Sequence, residues 1–229
     1  MRDIVLDAPG PATALTSIPC RGGHFYMLDL GANVDCDAQL LVQFALMGSV
    51  VASVMDGIEK PRVGLLNIGE EVIKGNEQVK FANTLMAESS QINYVGYVEG
   101  DTVFNQVADV VVCDGFVGNV ALKSIEGVAK LITTLVKDAV KASWGLKAAA
   151  MLALPFSGAL KRQMDPRQHN GAGLVGLRGT VIKSHGGSDE KGFARAIEVA
   201  YEQARLGLPD LIAQRVEAQN PECCVVDRG

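Results

Sequence analysis

The segment from Asn67 to Glu77 carries the residue types that suit an anion site. It reads NIGEEVIKGNE, so Lys74, Gly75 and Asn76 directly precede a helix-like stretch. The lysine supplies positive charge, and the N–H groups and dipole of a helix start point at the same place. We predict that Lys74 contacts a phosphate or an oxyanion, with Gly75 and Asn76 beside it. A solvated loop without a ligand is the alternative.

Two glycine-containing turns elsewhere could add hydrogen-bond donors to such a site. In LGANVD, Asn33 offers an amide that can hold a ligand oxygen or cap the following helix. In DGFVGN, Gly115 and Gly118 bracket the turn, and Asn119 stands where we expect a helix N-cap. This second turn would aim backbone donors at a thioester carbonyl that develops negative charge. Plain strand-to-helix turns are the alternative.

His185 follows the apolar run TVIK and precedes Gly186 and Gly187. We predict that His185 handles a proton and that Gly186 belongs to a binding loop, because glycines let a ligand approach the backbone closely. A purely structural histidine is an equally open interpretation. Cys113 has no base adjacent in sequence and ends an apolar run, so we interpret it as a buried structural thiol.

No metal site, cofactor or nucleic-acid partner is predicted. Glu70 and Glu71 lack further ligands at a suitable spacing, and neither a P-loop nor a G-x-G-x-x-G motif occurs. The net charge of −5 argues against a general nucleic-acid binder. Five cysteines without a C-x-x-C pair, and a start without an apolar signal segment, favour a cytoplasmic protein.

Alternating apolar and helix-like stretches must position these residues. Short apolar runs, typical of strands covered on both faces, lie at 25–30, 62–68, 92–98, 108–114 and 180–183. Helix-like stretches lie at 37–55, 75–89, 118–141 and 188–206. The alternation predicts a doubly wound parallel α/β sheet, whose ligands bind outside the carboxyl ends of the strands. The loops that hold the candidate residues would then form one cleft.

The chain is predicted to consist of one α/β domain, residues 25–213, between two less regular ends. Residues 1–24 are rich in Pro, Ala and Gly and are predicted to be irregular, and residues 214–229 are predicted to be a disordered tail.

An apolar stretch, residues 144–160, interrupts the domain. It is too short and too broken by Lys147, Pro155 and Gly158 to span a bilayer. Together with its basic flanks it predicts a helical hairpin at about 137–165 that rests on an anionic membrane surface. The residues predicted to touch the membrane are Met151, Leu152, Leu154 and Phe156. A core or dimer-interface helix is the alternative.

These motifs together resemble one family, the phosphate acyltransferases of bacterial phospholipid synthesis. LDLGANVD, GLLNIGEE, KGNE, ADVVVCDGFVGNVALK, NGA and LRGTVIKSHGG occur in that family's order over about residues 22–206. The resemblance implies a three-layer α/β/α sandwich similar to isocitrate and isopropylmalate dehydrogenases and to phosphotransacetylase. It also implies a cytoplasmic homodimer that associates peripherally with the inner face of the cell membrane.

The implied reaction converts acyl-acyl carrier protein (acyl-ACP) and inorganic phosphate into acyl-phosphate and ACP. The product would feed a membrane-bound glycerol-3-phosphate acyltransferase. Phosphate is itself the nucleophile, so the protein must bind the dianion and stabilise the oxyanion. On this reading the catalytic residues are Lys74, Asn119 and His185, and the binding residues are Asn33, Gly75, Asn76, Gly115, Gly118 and Gly186.

Two other functions remain open. The family's opening strand with its Met-Gly-Gly-Asp turn, and its Ser-Ala-Gly-Asn-Thr-Gly-Ala segment, do not occur in this sequence. A non-catalytic, membrane-docking or dimerising remnant is therefore one alternative. An NAD-dependent decarboxylating dehydrogenase of related fold is the other.

Overall fold

The computed structural model describes residues 11–145 and 170–219, and these form one mixed sheet with five α-helices. The strands are β1 (Thr13–Cys20), β2 (Gly23–Leu28), β3 (Arg62–Asn67), β4 (Asn93–Glu99), β5 (Val110–Val112), β6 (Ala172–Val175) and β7 (Val181–Lys183). The helices are α1 (Ala38–Asp56), α2 (Glu77–Glu88), α3 (Gly115–Ala142), α4 (Glu190–Arg205) and α5 (Leu208–Gln219). The strand order is β4-β3-β5-β2-β1-β6-β7.

One half of the sheet is parallel, and here the prediction is confirmed. Strands β4, β3, β5 and β2 run in the same direction, with α1, α2 and α3 among their connections. The three valines of β5 are fully buried, as expected of a central strand covered on both faces. The α/β class follows from this half.

The other half is antiparallel, and here two predictions are wrong. Residues 1–24 were expected to be irregular, but β1 lies within them and pairs antiparallel with β2. Successive side chains of β1 point to opposite faces of the sheet, so Leu15 and Ile18, three residues apart, enter different cores. Strand β6 is antiparallel to β1, and β7 is antiparallel to β6. Strand β7 therefore runs opposite to β2, and the sheet is not parallel throughout.

The two faces of the sheet carry separate cores. One core lies under α1, α2 and α5, and its largest fully buried side chains include Phe44, Leu46 and Met47. The other contains Phe25 and Met27 and is covered by a short 3-10 turn at 103–105 and by the start of α3. Each fully buried large apolar side chain contributes about 1.5–3 kcal/mol to folding.

Within the described ranges, α1 alone is long and apolar enough to cross a membrane by length and composition. Its buried residues, however, belong to the first core and pack against the sheet. In this structure α1 is a core helix.

The ends of the predicted domain also need correction. The tail was expected to be disordered from residue 214, but α5 continues to Gln219. Residues 137–142 of the predicted hairpin form the end of α3. The membrane-contact residues Met151, Leu152, Leu154 and Phe156 lie outside the described residues, as do 1–10 and 220–229.

Candidate functional site

Three helices begin at the carboxyl edge of the parallel strands, where the sequence predicts the site. Their N-caps are Asp37 for α1, Asn76 for α2 and Asp114 for α3, and each side chain accepts a hydrogen bond from a backbone N–H in the first turn. The starts of α1 and α2 are joined, because the Ala38 N–H donates to the Gln78 side chain at 3.0 Å. Converging helix N-termini favour an anion at this edge.

The N-cap of α3 corrects one prediction. Asn119 was expected to cap this helix, but Asp114 does so, with Oδ1 accepting from the Val117 N–H at 2.7 Å. The helix begins at Gly115, so Asn119 lies within its second turn and is exposed. The side chain of Asn119 lies over the turn at Gly31, where a Cβ added to the glycine would meet it at 3.4 Å. Asn119 is therefore free to face a ligand at this edge.

Asp29 organises the loop that follows β2 and is fully buried. Its Oδ1 accepts from the backbone N–H groups of Ala14, Gly31 and Ala32 at 3.0–3.1 Å. Its Oδ2 accepts from the backbone and side-chain nitrogens of Asn33 at 2.6 and 2.8 Å. These bonds satisfy the buried carboxylate. The backbone N–H groups of this loop therefore point inward at the Asp29 carboxylate and not outward at a ligand.

This arrangement changes what Asn33 can do. Its side-chain nitrogen donates to the Ala12 carbonyl at 2.8 Å as well as to Asp29, so both amide hydrogens are used inside the protein. Asn33 lies at the predicted edge, but its amide nitrogen is not a free donor for a ligand. Sequence reasoning did not single out Asp29, although an acid that ends an apolar strand was a usable signal.

Gly115 and Gly118 allow α3 to lie directly against the Asp29 loop. The Gly115 N–H donates to the Asn33 carbonyl at 2.8 Å, and a Cβ on Gly115 would lie 2.5 Å from that oxygen. A Cβ on Gly118 would overlap the carbonyl oxygen of Asp29. Both glycines are buried. Their evident task is close packing, and contact with a ligand stays a prediction.

Lys74 belongs to a loop whose backbone is held by hydrogen bonds from the Asn67 side chain. The Asn67 side-chain nitrogen donates to the carbonyls of Gly69 at 3.0 Å and Lys74 at 3.3 Å. Gly75 has a φ of 93°, and a Cβ there would lie 2.6 Å from Asn67 Oδ1, so this position requires glycine. The sequence motifs gave Asn67 no role, although it ends the β3 run much as Asp29 follows the β2 run.

The side chain of Lys74 is exposed, and it has no ion-pair partner within the described ranges. It stands two residues before the N-cap of α2, so its charge adds to the helix dipole there. Residues 11–145 and 170–219 contain no group of three or more His, Cys, Asp or Glu placed to hold a metal ion. Lys74 is therefore an exposed cation that this edge offers to a ligand.

The Cys113 thiol is buried beneath the same edge. Its sulfur donates to the carbonyls of Leu28 at 3.4 Å and Asp29 at 3.6 Å. Burial, and secondarily the charge of Asp114, raises the pKa of this thiol well above its usual value. A reactive thiolate is therefore disfavoured, in agreement with the interpretation of Cys113 as a structural thiol.

His185 follows a strand that points away from the edge where Lys74 lies. Strand β7 runs opposite to β2, and its last residue, Lys183, is level with Met27 in the pairing register, so His185 lies further from the carboxyl edge. Strand β7 is also three positions from β2 and five from β3, roughly 14 and 24 Å at the usual strand spacing. Strand order and direction therefore do not bring His185 and Gly186 directly beside Lys74 and Asn119, and their part in one cleft stays a prediction.

Asn170 holds the loop that contains His185. Its side-chain nitrogen donates to the hydroxyls of Ser184 and Ser188, each at 3.0 Å, and to the Gly192 carbonyl at 2.7 Å. Its Oδ1 accepts from the His185 backbone N–H at 2.9 Å. The imidazole is exposed, and its Nδ1 accepts from the Gly187 N–H at 3.0 Å. Sequence reasoning assigned Asn170 no role, and its structural task is visible only in the fold.

Comparison with known proteins agrees with the family resemblance that the sequence motifs indicate. A family model described as "Fatty acid synthesis protein" matches residues 8–210. The phosphate acyltransferase of Alcanivorax borkumensis is 57% identical over 198 residues, which are 86% of this chain and 59% of that protein. The phosphate acyltransferase of Alkalilimnicola ehrlichii is 57% identical over 204 residues, 89% of this chain and 59% of that protein.

Among solved structures, EutD phosphotransacetylase from Staphylococcus aureus aligns with a TM-score of 0.47 and 15% identity. The alignment covers 87% of this chain and 54% of that one. The chain spans about 59% of the length of the two phosphate acyltransferases that it matches.

Proposed function

The chain belongs to the fatty acid synthesis protein family, and we propose that its carboxyl edge is the phosphate and thioester site of a phosphate acyltransferase. The substrates would be acyl-ACP and inorganic phosphate, and the products acyl-phosphate and free ACP. One observation carries the proposal. Lys74 is exposed beside the start of α2, at the edge where α1 and α3 also begin.

The chemistry needs no nucleophile from the protein. A hydrogen phosphate oxygen attacks the thioester carbonyl carbon, a carbon–oxygen bond forms and the carbon–sulfur bond breaks. The proton that phosphate gives up balances the one that the departing thiolate takes up. The protein contributes by holding the dianion against the carbonyl and by stabilising the oxyanion.

Within this proposal Lys74 binds the phosphate, and the helix start at Asn76 adds its dipole. Asn119 contacts the thioester carbonyl from α3, since its side chain lies over the Gly31 turn. Asp29 positions that turn from below and does not touch the substrate. Proton transfer by His185 stays a prediction, because β7 runs antiparallel to β2 and points His185 away from this edge.

The finer features of the family belong to the same proposal. Helices on both faces of the parallel half support a three-layer sandwich like that of isocitrate dehydrogenase. An exposed apolar stripe on α3 supports homodimerisation and peripheral contact with the inner face of the cell membrane from the cytoplasm. An acyl-phosphate has an apolar tail, which suits its consumption by a membrane-bound glycerol-3-phosphate acyltransferase.

The test is phosphate-dependent release of thiol from an acyl thioester. We expect Lys74→Ala to raise the KM for phosphate at least about tenfold, since a charged hydrogen bond to the dianion is lost. Lys74→Arg should recover part of the loss. Lys80→Ala is the matched control, because Lys80 lies on α2 and is 3.7 Å from Glu77.

Unchanged turnover and unchanged phosphate KM in Lys74→Ala would show that Lys74 is not the phosphate ligand. If the parent chain releases no thiol in response to phosphate, the catalytic proposal for this chain fails, and the non-catalytic alternative takes its place.

A further inference from the structure

Helix α3 carries lysines along one side. Lys123, Lys130, Lys137 and Lys141 are spaced by seven, seven and four residues, which places them within about 40° of one another around the helix axis. All four are exposed. We call this surface the lysine face. Lys123 pairs with Glu126 at 3.1 Å, and the other three have no ion-pair partner in the described part of the chain.

The apolar stripe of α3 lies on the opposite side of the helix. Its large side chains are 48–58% exposed, and they are Val128, Leu131, Ile132, Leu135 and Val136. Whatever covers this stripe, a bilayer or a second copy, leaves the lysine face in water. The lysine face is therefore open to a separate partner.

The lysine face also begins beside the proposed site. Asn119 lies in the second turn of α3, and Lys123 follows one turn later. With a rise of 1.5 Å per residue, the lysine face extends from about 6 Å beyond Asn119 at Lys123 to about 33 Å at Lys141. A partner that lies along the lysine face would have one end next to the thioester site.

The charge of the rest of the chain selects the kind of partner. The chain as a whole has a net charge of −5, yet α3 carries four lysines against two acids, Glu126 and Asp138. An acidic protein would be repelled by most of the surface and attracted here, which fixes its orientation on approach. Acidic side chains at helical spacing on the partner would match the lysine repeat.

We propose that the lysine face is the docking surface for an acidic helix of the carrier protein that delivers the acyl thioester. The proposal rests on the proposed function, since a carrier-bound substrate is what requires such a surface. A carrier presents its acyl group on an arm. The carrier protein can then dock along α3 while only its arm enters the edge where Lys74 and Asn119 lie.

The test compares two triple charge reversals of the full 229-residue chain. The first is Lys130→Glu, Lys137→Glu and Lys141→Glu. The matched control is Lys60→Glu, Lys80→Glu and Lys191→Glu, which changes the net charge equally but lies off α3. The affinity for fluorescently labelled acyl carrier protein is measured by anisotropy, which needs no turnover.

We expect the α3 reversal to weaken carrier binding at least about tenfold at low salt, and the control to change it less than about threefold. The difference should shrink at 0.5 M salt because exposed charges are screened. A Lys→Gln triple at the same α3 positions should give an intermediate loss. Circular dichroism checks that both sets of variants keep their helix content.

Equal affinities of the two reversal variants would overturn the docking proposal. It would also be overturned if the α3 reversal reduced binding only to phosphatidylglycerol vesicles, because the lysine face would then recognise lipid. The proposed function is tested separately with acyl-pantetheine, a small thioester without a protein. Phosphate-dependent cleavage of acyl-pantetheine should be unaffected by the α3 reversal, and its absence in the parent chain would count against the function alone.

Discussion

Two loops, one after β2 and one after β7, are each organised by one buried polar side chain. Asp29 accepts five hydrogen bonds in the loop after β2, four of them from backbone N–H groups. Asn170 mainly donates, to two hydroxyls and a carbonyl. The carboxylate of Asp29 uses four backbone N–H groups that could otherwise bind a ligand anion, whereas the amide of Asn170 uses only that of His185. At the carboxyl edge, Lys74 and the helix starts remain as groups that could bind a ligand anion.

The largest effect should come from removing the charged hub. Asp29→Ala removes a fully buried acceptor and leaves its five donors without their partner, and we expect it to lower the free energy of unfolding by about 3–5 kcal/mol. Thermal unfolding followed by circular dichroism should show a Tm lower by roughly 10 °C. Asp35→Ala, an exposed neighbour in the same loop, should change stability by less than about 0.5 kcal/mol. Similar losses in both variants would refute the hub role of Asp29.

Removing the amide hub should cost less. Asn170→Ala frees two serine hydroxyls, which can rotate towards other partners, so we expect a loss of about 1–3 kcal/mol in denaturant unfolding. His185→Ala is the control, because the His185 contact with Asn170 runs through the backbone and the exposed ring is not needed for it. A loss in Asn170→Ala as large as that in Asp29→Ala would erase the contrast between the two loops.

The smallest effect is expected from an ion pair on the same strand that leads to Asp29. His24 contacts Asp56 at 3.1 Å, and this hydrogen bond raises the pKa of the imidazole above its usual value. Asp56 also accepts from Tyr26 at 3.2 Å. Both partners of the pair are about one-third exposed, so its contribution should stay below about 1 kcal/mol.

The pH dependence of this pair has a definite sign. A raised pKa means that the folded state holds the proton more tightly, so the stabilisation is present in full below the unfolded pKa of about 6.5. It is lost as the pH rises through the folded pKa of His24. The stability difference between the parent chain and His24→Gln, measured by urea unfolding, should shrink between pH 6 and pH 9. A difference that is constant with pH would exclude the ion pair as its source.

The parallel half of the fold was predictable because its strands are continuous apolar runs. The β5 run is uniformly apolar and lies between polar turns, so both its existence and its burial follow from pattern alone. Strand β1 was missed because Thr, Ser and Pro19 interrupt its apolar residues. Only its pairing with β2 shows that this segment is a strand. Strand direction was not predictable, since antiparallel pairing depends on partners that are distant in sequence.

The candidate site, too, contains residues that were predictable from sequence and residues that were not. Lys74, Gly75 and Asn76 were predictable because a lysine, a glycine and a cap residue are adjacent in sequence. The direction of the strand before His185 was not predictable, because a loop after a strand has the same sequence pattern whether that strand is parallel or antiparallel to its neighbours. Asp29 and Asn170 emerged only from the fold, since their hydrogen-bond partners lie up to 15 and 22 residues away.

The length of α3 has a consequence for how a partner is recognised. Residues 127–139 are all exposed, and beyond Ile125 no apolar side chain of this helix joins either core in the described part of the chain. The helicity of that segment therefore depends only on interactions within the helix itself. Isolated helices of such length are marginally stable in water. Contact along the segment would complete its folding as well as bind it. Part of the interaction energy is then used for ordering, which favours rapid exchange of partners over long residence.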